Sequence, residues 1–188
     1  IVIKGTLIGP ADLQLLSLNG DMLATAVGGT KVLFDGTPSP ILHTSARQTS
    51  VIVPYGVAGR ERTSVVVDRD GLQSAAMVLP VLAAKPGIFS ADASGKGAGA
   101  ILNQDGLLNT TQNPAAPNSV IVIYLTGTGI TEPSSIDGRL ALTVFPKPVL
   151  PVTVTIGGQS ADVLYYGAAP SLVAGVTQIN AKISPLSA

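Results

Sequence analysis

Glycine and proline punctuate this chain at short intervals. The 188 residues hold 21 Gly and 14 Pro, spread from end to end, and either residue weakens or breaks a helix that runs through it. Between them lie short runs rich in β-branched side chains, at 31–34, 50–53, 64–67, 100–102, 120–124, 152–156, 162–166 and 177–183. The dipeptides Asp35-Gly36, Asp70-Gly71, Asp105-Gly106, Asp137-Gly138 and Gly157-Gly158 fall in the gaps. They suit tight turns, because Gly adopts positive φ cheaply and Asp bonds its own backbone. Short strands with regularly spaced turns predict an all-β sandwich or barrel. Residues 152–156 alternate apolar and Thr, which predicts one buried and one wet face. Residues 120–124 are continuously apolar and predict a central strand buried on both sides. Helical spacing occurs only within 11–26, through Leu13, Leu16, Met22 and Leu23. Asn19-Gly20 interrupts it, so a loop with at most one helical turn is expected there.

Several function classes are disfavoured by what the chain contains. Charged residues make up 12%, with eleven Lys+Arg against eleven Asp+Glu, about half the ~25% usual in globular domains. That balance gives no electrostatic basis for binding nucleic acid or an anionic membrane. Cysteine is absent, which excludes disulfides, thiolate metal sites and a cysteine nucleophile. His43 is the one histidine, so any Ser/His/Asp arrangement must use it. The longest unbroken apolar run, 120–125, is far shorter than the ~20 residues of a membrane-spanning helix. No basic segment followed by an apolar one opens the chain, so no signal peptide is expected within it.

The two halves of the sequence resemble each other. Residues 32–36 correspond to 154–158, and Ile41-Leu42-His43 to Val163-Leu164-Tyr165, all at an offset of 122. Gly5–Gly9 is matched to Gly127–Thr131 at the same offset. Further on, 48–53 corresponds to 178–183 at an offset of 130, so the second copy carries eight extra residues within 167–176. A period this long indicates domain duplication, since solenoid units run ~20–50 residues. Lys85-Pro86-Gly87 is the natural boundary, because Pro86 forces Lys85 out of helical space and Pro-Gly turns the chain. The expected domains are therefore 1–84 and 85–188, the second carrying an N-terminal hairpin extension around Asn103-Gln104-Asp105-Gly106. In the first copy two further strand-like runs, 63–68 and 75–83, follow the strand ending at Val53. Only a few residues follow its counterpart at Ile183, and two strands of ~5 residues need more. The second sandwich is thus expected to lack its last strands and to leave a sheet edge open. Three expectations follow: the natural chain continues and this is a fragment of it, the rest is disordered, or another chain donates the missing strands, with Ile1, Val2 and Ile3 the candidate assembly segment or simply the first strand of the first copy.

The motifs that could carry chemistry each have a plainer explanation. Gly95-Lys96-Gly97 lacks the Lys-Ser/Thr step and the following helix of a phosphate loop. Asp68-Arg69-Asp70-Gly71 and Asn103-Gln104-Asp105-Gly106 resemble fragments of calcium loops, but neither supplies a third ligand and a Glu at position 12. They read as hairpin turns, with a weak surface calcium site the alternative. Asp92, Asp105 and Asp137 sit beside turn residues, and no Gly-x-Ser-x-Gly elbow accompanies His43. Arg60-Glu61-Arg62 reads as a solvated hairpin tip. Asn109-Thr110-Thr111 fits the glycosylation pattern. Tyr165 and Tyr166 are the candidates for ligand contact, sugar stacking above all, although adjacent strand residues face opposite ways.

Read in order, a set of strings resembles a known family. They are 31–40 (KVLFDGTPSP), 48–57 (QTSVIVPYGV), 84–89 (AKPGIF), 99–106 (GAILNQDG), 113–116 (NPAA), 127–129 (GTG), 148–152 (PVLPV), 156–158 (IGG), 167–170 (GAAP) and 175–180 (GVTQIN). Together they are similar to the tandem C-terminal region of large secreted proteins of the acidobacterial kind, whose repeats resemble the immunoglobulin-like IPT/TIG fold. Ser50 stands where that family usually has Asn. The resemblance implies two tandem immunoglobulin-like β-sandwich domains and an extracellular or cell-surface location, and it implies no reaction, cofactor or catalytic residue. The expected function is a non-catalytic structural, adhesion or assembly module, with protein partners or copies of itself. A polysaccharide-binding accessory module is the alternative. A low-charge surface favours protein contact.

Overall fold

The computed structural model describes residues 1–184. Among them the secondary structure is all β apart from one 3-10 turn at Tyr55–Val57, and the labelled strands pair antiparallel. Ten strands have three residues or more: β1 Val2–Lys4, β2 Thr30–Phe34, β3 Ile41–Thr44, β4 Gln48–Val51, β5 Arg62–Arg69, β6 Met77–Pro80, β7 Val120–Thr126, β8 Val154–Ile156, β9 Gln159–Ala168 and β10 Val176–Lys182. Two-residue ladders fill in around them. No helix of the described residues is long and apolar enough to cross a membrane. The chain gathers into two compact units. One comprises Ile1–Ala83 with Ser135–Leu140 and Val173–Gly175, and the other holds the remaining residues.

In the first unit, one sheet runs β1, β4, β3 and the short strand Gln14–Leu15. In the other, β5 lies between β2 on one side and both β6 and Leu72–Gln73 on the other, and Thr37–Pro38 pairs the far edge of β2. Period-two alternation sends one face of every strand inward. Val32, Phe34, Val65 and Val67 come from the second sheet and Ile41 and Val51 from the first, and all join one buried cluster. Both sheets thus face a common core, an arrangement compatible with a β-sandwich. Buried hydroxyls are satisfied within it: Thr44 and Thr49 share a 2.8 Å hydrogen bond, and the Thr30 hydroxyl donates to the Ile8 carbonyl. The later segments are bound by backbone. Leu23 N–H donates to the Gly138 carbonyl and Leu140 N–H to the Asp21 carbonyl, while Arg139 pairs with Asp21 at 3.3 Å.

In the second unit the main sheet runs β7, β10, β9, β8, Gly87–Ile88 and Ile101–Leu102 pair the outer edge of β7, and Thr131–Glu132 pairs Lys147–Pro148 in a separate two-stranded sheet. Its ladders repeat those of the first unit residue for residue. Leu33↔Pro38 and Phe34↔Thr37 recur as Thr155↔Ser160 and Ile156↔Gln159, 122 residues later. Ile41↔Val51, His43↔Ser50 and Thr44↔Thr49 recur as Val163↔Ala181, Tyr165↔Asn180 and Tyr166↔Ile179, with the same register shift between the first two pairs. The hairpin turns match as well. Asp35-Gly36 has φ of 49° and 85°, and Gly157-Gly158 has 59° and 82°. Both are two-residue turns with positive φ at each centre, which suits the twist of the flanking strands.

Four expectations need correction. Residues 11–26 contain no helical turn; Gln14–Leu15 pairs β3, and Leu18–Asn19 pairs Met22–Leu23 across a Gly20-Asp21 turn. The Asn-Gly step shapes the second of these pairings, because Gly20 takes φ of 63° in its turn. The first strand is offset by 120 rather than 122: Ile3 faces Thr49 as Ile123 faces Ile179. Gly127 therefore lies beyond the end of β7 and is not the counterpart of Gly5. Finally, alternation along the β-branched runs predicts that Phe34, Val51, Val53, Val65 and Val67 are buried and that Ile121, Ile123, Ile156, Val163, Ile179 and Ile183 are largely buried; Val53 is only half-buried, the other four of the first set are buried, and in the second set Ile121, Ile123 and Ile179 are buried and Ile156, Val163 and Ile183 half-buried. The strand at 120–124 is central, yet its inward residues are buried and its alternate residues half-buried. Residues 185–188, where the expected missing strands would begin, lie outside the described residues.

Candidate functional site

The half-buried residues of the second unit converge on one place. In the first unit β2 is flanked on both edges, by Thr37–Pro38 and by β5. Its equivalent β8 pairs with β9 alone among the described residues. The result shows in exposure: Val32 is 0% and Phe34 2% exposed, whereas Val154 and Ile156 at the same register positions are half-exposed. Val154 and Ile156 wall a cleft of about 300 Å³ floored by Ile121 and Ile123 of β7, with Ile101 and Ile183 at its rim. A second cleft of about 230 Å³ adjoins 150–153, bounded by Leu125 and Ile179. No charged side chain lines either one. The surface is apolar because isoleucine and valine side chains make up most of the lining of the larger cleft.

Backbone geometry gives the cleft a polar margin. In a two-residue hairpin the residues flanking the turn exchange hydrogen bonds, and the next pair does not. Ile156 and Gln159 flank Gly157-Gly158. Thr155 therefore directs its N–H and C=O away from β9, as Leu33 directs its own toward Val66 of β5. The Thr155 side chain is exposed.

The residues singled out from the sequence are scattered relative to this cleft. Tyr165 and Tyr166 are both half-buried and on opposite faces of β9. The Tyr165 hydroxyl donates to the Ala168 carbonyl at 2.8 Å, and partial burial raises its pKa. Tyr166 packs against the apolar cluster of the second unit, with Lys147 Nζ 5.4 Å from its ring centre. Such a distance allows a cation–π attraction. Ile1, Val2 and Ile3 belong to or adjoin β1, which pairs with β4. The Ile1 ammonium donates to the Val51 carbonyl at 2.7 Å, and its burial lowers its pKa. Ile3 packs into the first core.

The candidate carboxylates are engaged by turns. Asp92 accepts from Ser94 N–H, which holds its pKa down, Asp105 accepts from Leu107 N–H, and Asp68 accepts from Gly71 N–H. Asp137 accepts from Tyr55 N–H at 2.8 Å within the first unit. His43 Nε2 lies 3.0 Å from Gln48 Nε2 on the neighbouring strand. Among the described residues, no three His, Asp or Glu side chains gather into a metal-binding group.

Sequence reasoning missed the cleft as a site, although it pointed to an open edge. The usable signal was the repeat itself: Val154 and Ile156 match Val32 and Phe34, while Val65 and Val67, which cover the latter pair, have no match. Comparison with protein-family models, curated proteins and solved structures finds no match for the chain.

Proposed function

We propose that this chain is a non-catalytic module of an extracellular or cell-surface protein, built from tandem immunoglobulin-like β-sandwich repeats and acting as a structural, adhesion or assembly element through contact with other polypeptides. The observation that carries this reading is the uncharged apolar cleft beside β8, bordered by a strand with backbone groups directed outward. A surface of that kind is satisfied by polypeptide, which supplies both apolar side chains and ladder hydrogen bonds. Engagement of Asp68, Asp92, Asp105 and Asp137 by turn N–H groups supports the absence of a catalytic role. The polysaccharide alternative rests on Tyr165 and Tyr166, and their opposed faces remove a flat two-ring platform.

Display of the chain on a non-adherent cell tests the reading by attachment to an opposing surface. Attachment abolished by protease treatment of that surface is the expected result. Attachment abolished only by periodate oxidation of its glycans would establish the carbohydrate alternative, and absence of attachment would reject an adhesion role.

A further inference from the structure

Tyr165 has an aromatic companion on its own face of the sheet, and it is not Tyr166. Ile121, Ile123, Leu125, Ile179, Ala181 and Tyr166 face the second core, so the alternate residues of β7, β10 and β9 lie on the outer face. Tyr124, Gln178 and Gly167 stand side by side there in one row, and Val122, Asn180 and Tyr165 in the next. The Tyr165 hydroxyl, donating to the Ala168 carbonyl, draws its ring back along β9 across Gly167. A Cβ at Gly167 would come within 3.0 Å of that hydroxyl and 3.3 Å of Cζ, so glycine leaves the space the ring occupies. Tyr124 and the Tyr165 ring thus flank Gln178 about 10 Å apart, two inter-strand spacings.

Between the rings, Gln178 Nε2 donates to Asn180 Oδ1 at 2.9 Å. That bond orients both amides and leaves Gln178 Oε1 as an acceptor and Asn180 Nδ2 as a donor. Tyr124, Tyr165, Gln178 and Asn180 are each half-buried. Neither row holds a charge, and in the row beyond, Asp162 and Lys182 stand opposite each other. The first copy supplies the contrast. Its equivalent positions hold Lys4 opposite Gln48 and His43 opposite Ser50, and His43 Nε2 lies 3.0 Å from Gln48 Nε2. Tyrosine replaces both the lysine and the histidine in the second copy. Two of the chain's four Tyr therefore share one uncharged face outside the core.

We propose that this outer face binds an extended, uncharged, β-1,4-linked glycan, with one sugar ring on Tyr124, another on Tyr165, and hydroxyls bonded to Gln178 Oε1 and Asn180 Nδ2. An aromatic face takes the C–H-lined face of a sugar, and a hydroxyl pairs with an amide donor or acceptor alike. The separation of the rings matches the disaccharide repeat of such a chain in its extended form. A charged ligand finds no counter-charge in the two rows, so complementarity favours a neutral one. The face lies on the opposite side of the sheet from the cleft, and the proposal goes beyond the contact reading without resting on it.

The test titrates the full chain with cellohexaose and, separately, with the hexamer of galacturonic acid, followed by amide chemical shifts. Saturable binding of cellohexaose with shifts at Tyr165, Gln178 and Asn180 is expected, and the acidic hexamer should bind far more weakly. Tyr124→Ala and Tyr165→Ala should each weaken binding about tenfold, while Tyr124→Phe, which keeps the ring, should bind like the parent. Asn180→Ser introduces the residue that the first copy already accommodates, so it keeps the fold, and should weaken binding about fivefold. No saturable binding of cellohexaose, equal binding of the acidic hexamer, shifts confined to 43–50, or undiminished affinity in both alanine variants would overturn the proposal. Protease-sensitive attachment in the display experiment without cellohexaose binding would remove the glycan site and leave the contact reading standing. Cellohexaose binding without attachment would do the reverse.

Discussion

The hairpins that contain β2 and β8 share their pairing, their turn geometry and their alternation, yet one is sealed and the other is not. Phe34 is 2% exposed and its counterpart Ile156 is half-exposed. Neither the strand nor its turn accounts for that difference. It comes from the second edge, where β5 covers β2 and no described strand covers β8. Strand geometry is therefore a local property of these repeats, whereas burial depends on the strand that flanks the second edge.

The largest expected effect that tests this contrast is a pair of truncations. Phe34→Ala empties a sealed position and should cost about 3–5 kcal/mol, while Ile156→Ala removes a side chain already half in water and should cost about 1–2 kcal/mol. Urea denaturation measures both, and equal losses would show that Ile156 is as well covered as Phe34. A smaller effect probes what the two hairpins share. Gly36→Ala and Gly158→Ala each place a Cβ on a residue with φ above 80°, and each should cost about 1 kcal/mol. A clear inequality between them would separate the two turns.

The smallest effect concerns a tie that only one turn possesses. Asp35 accepts hydrogen bonds from Ser64 N–H, the Thr63 hydroxyl and Arg60, binding the β2 turn to β5. Gly157 stands at the equivalent place. The Ser64 N–H above all, followed by the Thr63 hydroxyl, lowers the Asp35 pKa. A carboxylate with a folded pKa below its unfolded value stabilises the fold above the latter, and that contribution disappears as pH falls through the folded value. Stability measured from pH 6 down through the range below about 4 should therefore decline more steeply in the parent than in Asp35→Asn. Parallel pH profiles would mean that the tie contributes nothing.

Much of the all-β architecture was legible in the sequence because its signals are local. Turn dipeptides and β-branched runs identified the main strands, and the offsets of 122 and 130 recovered their pairing, since each hairpin is set by its own turn. The errors arose where distant contacts decide. Leu13, Leu16 and Leu23 have helical spacing, but ladder partners at Thr44 and His43 hold Gln14–Leu15 extended. Pro38 and Pro40 divide the first copy into Thr37–Pro38 and β3, while Ser160 and Asp162 at the same places let β9 run unbroken for ten residues. Proline lacks the N–H that a continuous ladder needs, so this difference was readable once the copies were aligned. The cleft was not, because a vacancy belongs to no single residue. It exists only in the relation between Val154, Ile156 and the isoleucines of β7.

The first unit is discontinuous along the chain, and that has a consequence for its biosynthesis. Asp137 holds Tyr55 N–H, Gly138 accepts from Leu23 N–H, and Arg139 accepts from Ala174 N–H. These bonds join residues that leave the ribosome far apart in time. A nascent chain ending near Ala83 has both sheets of this unit in hand but none of the segments that finish it. Vectorial folding from the N-terminus, the usual order for successive domains, therefore stalls one step short here. The unit that begins first reaches its final form only after Gly175 has been translated.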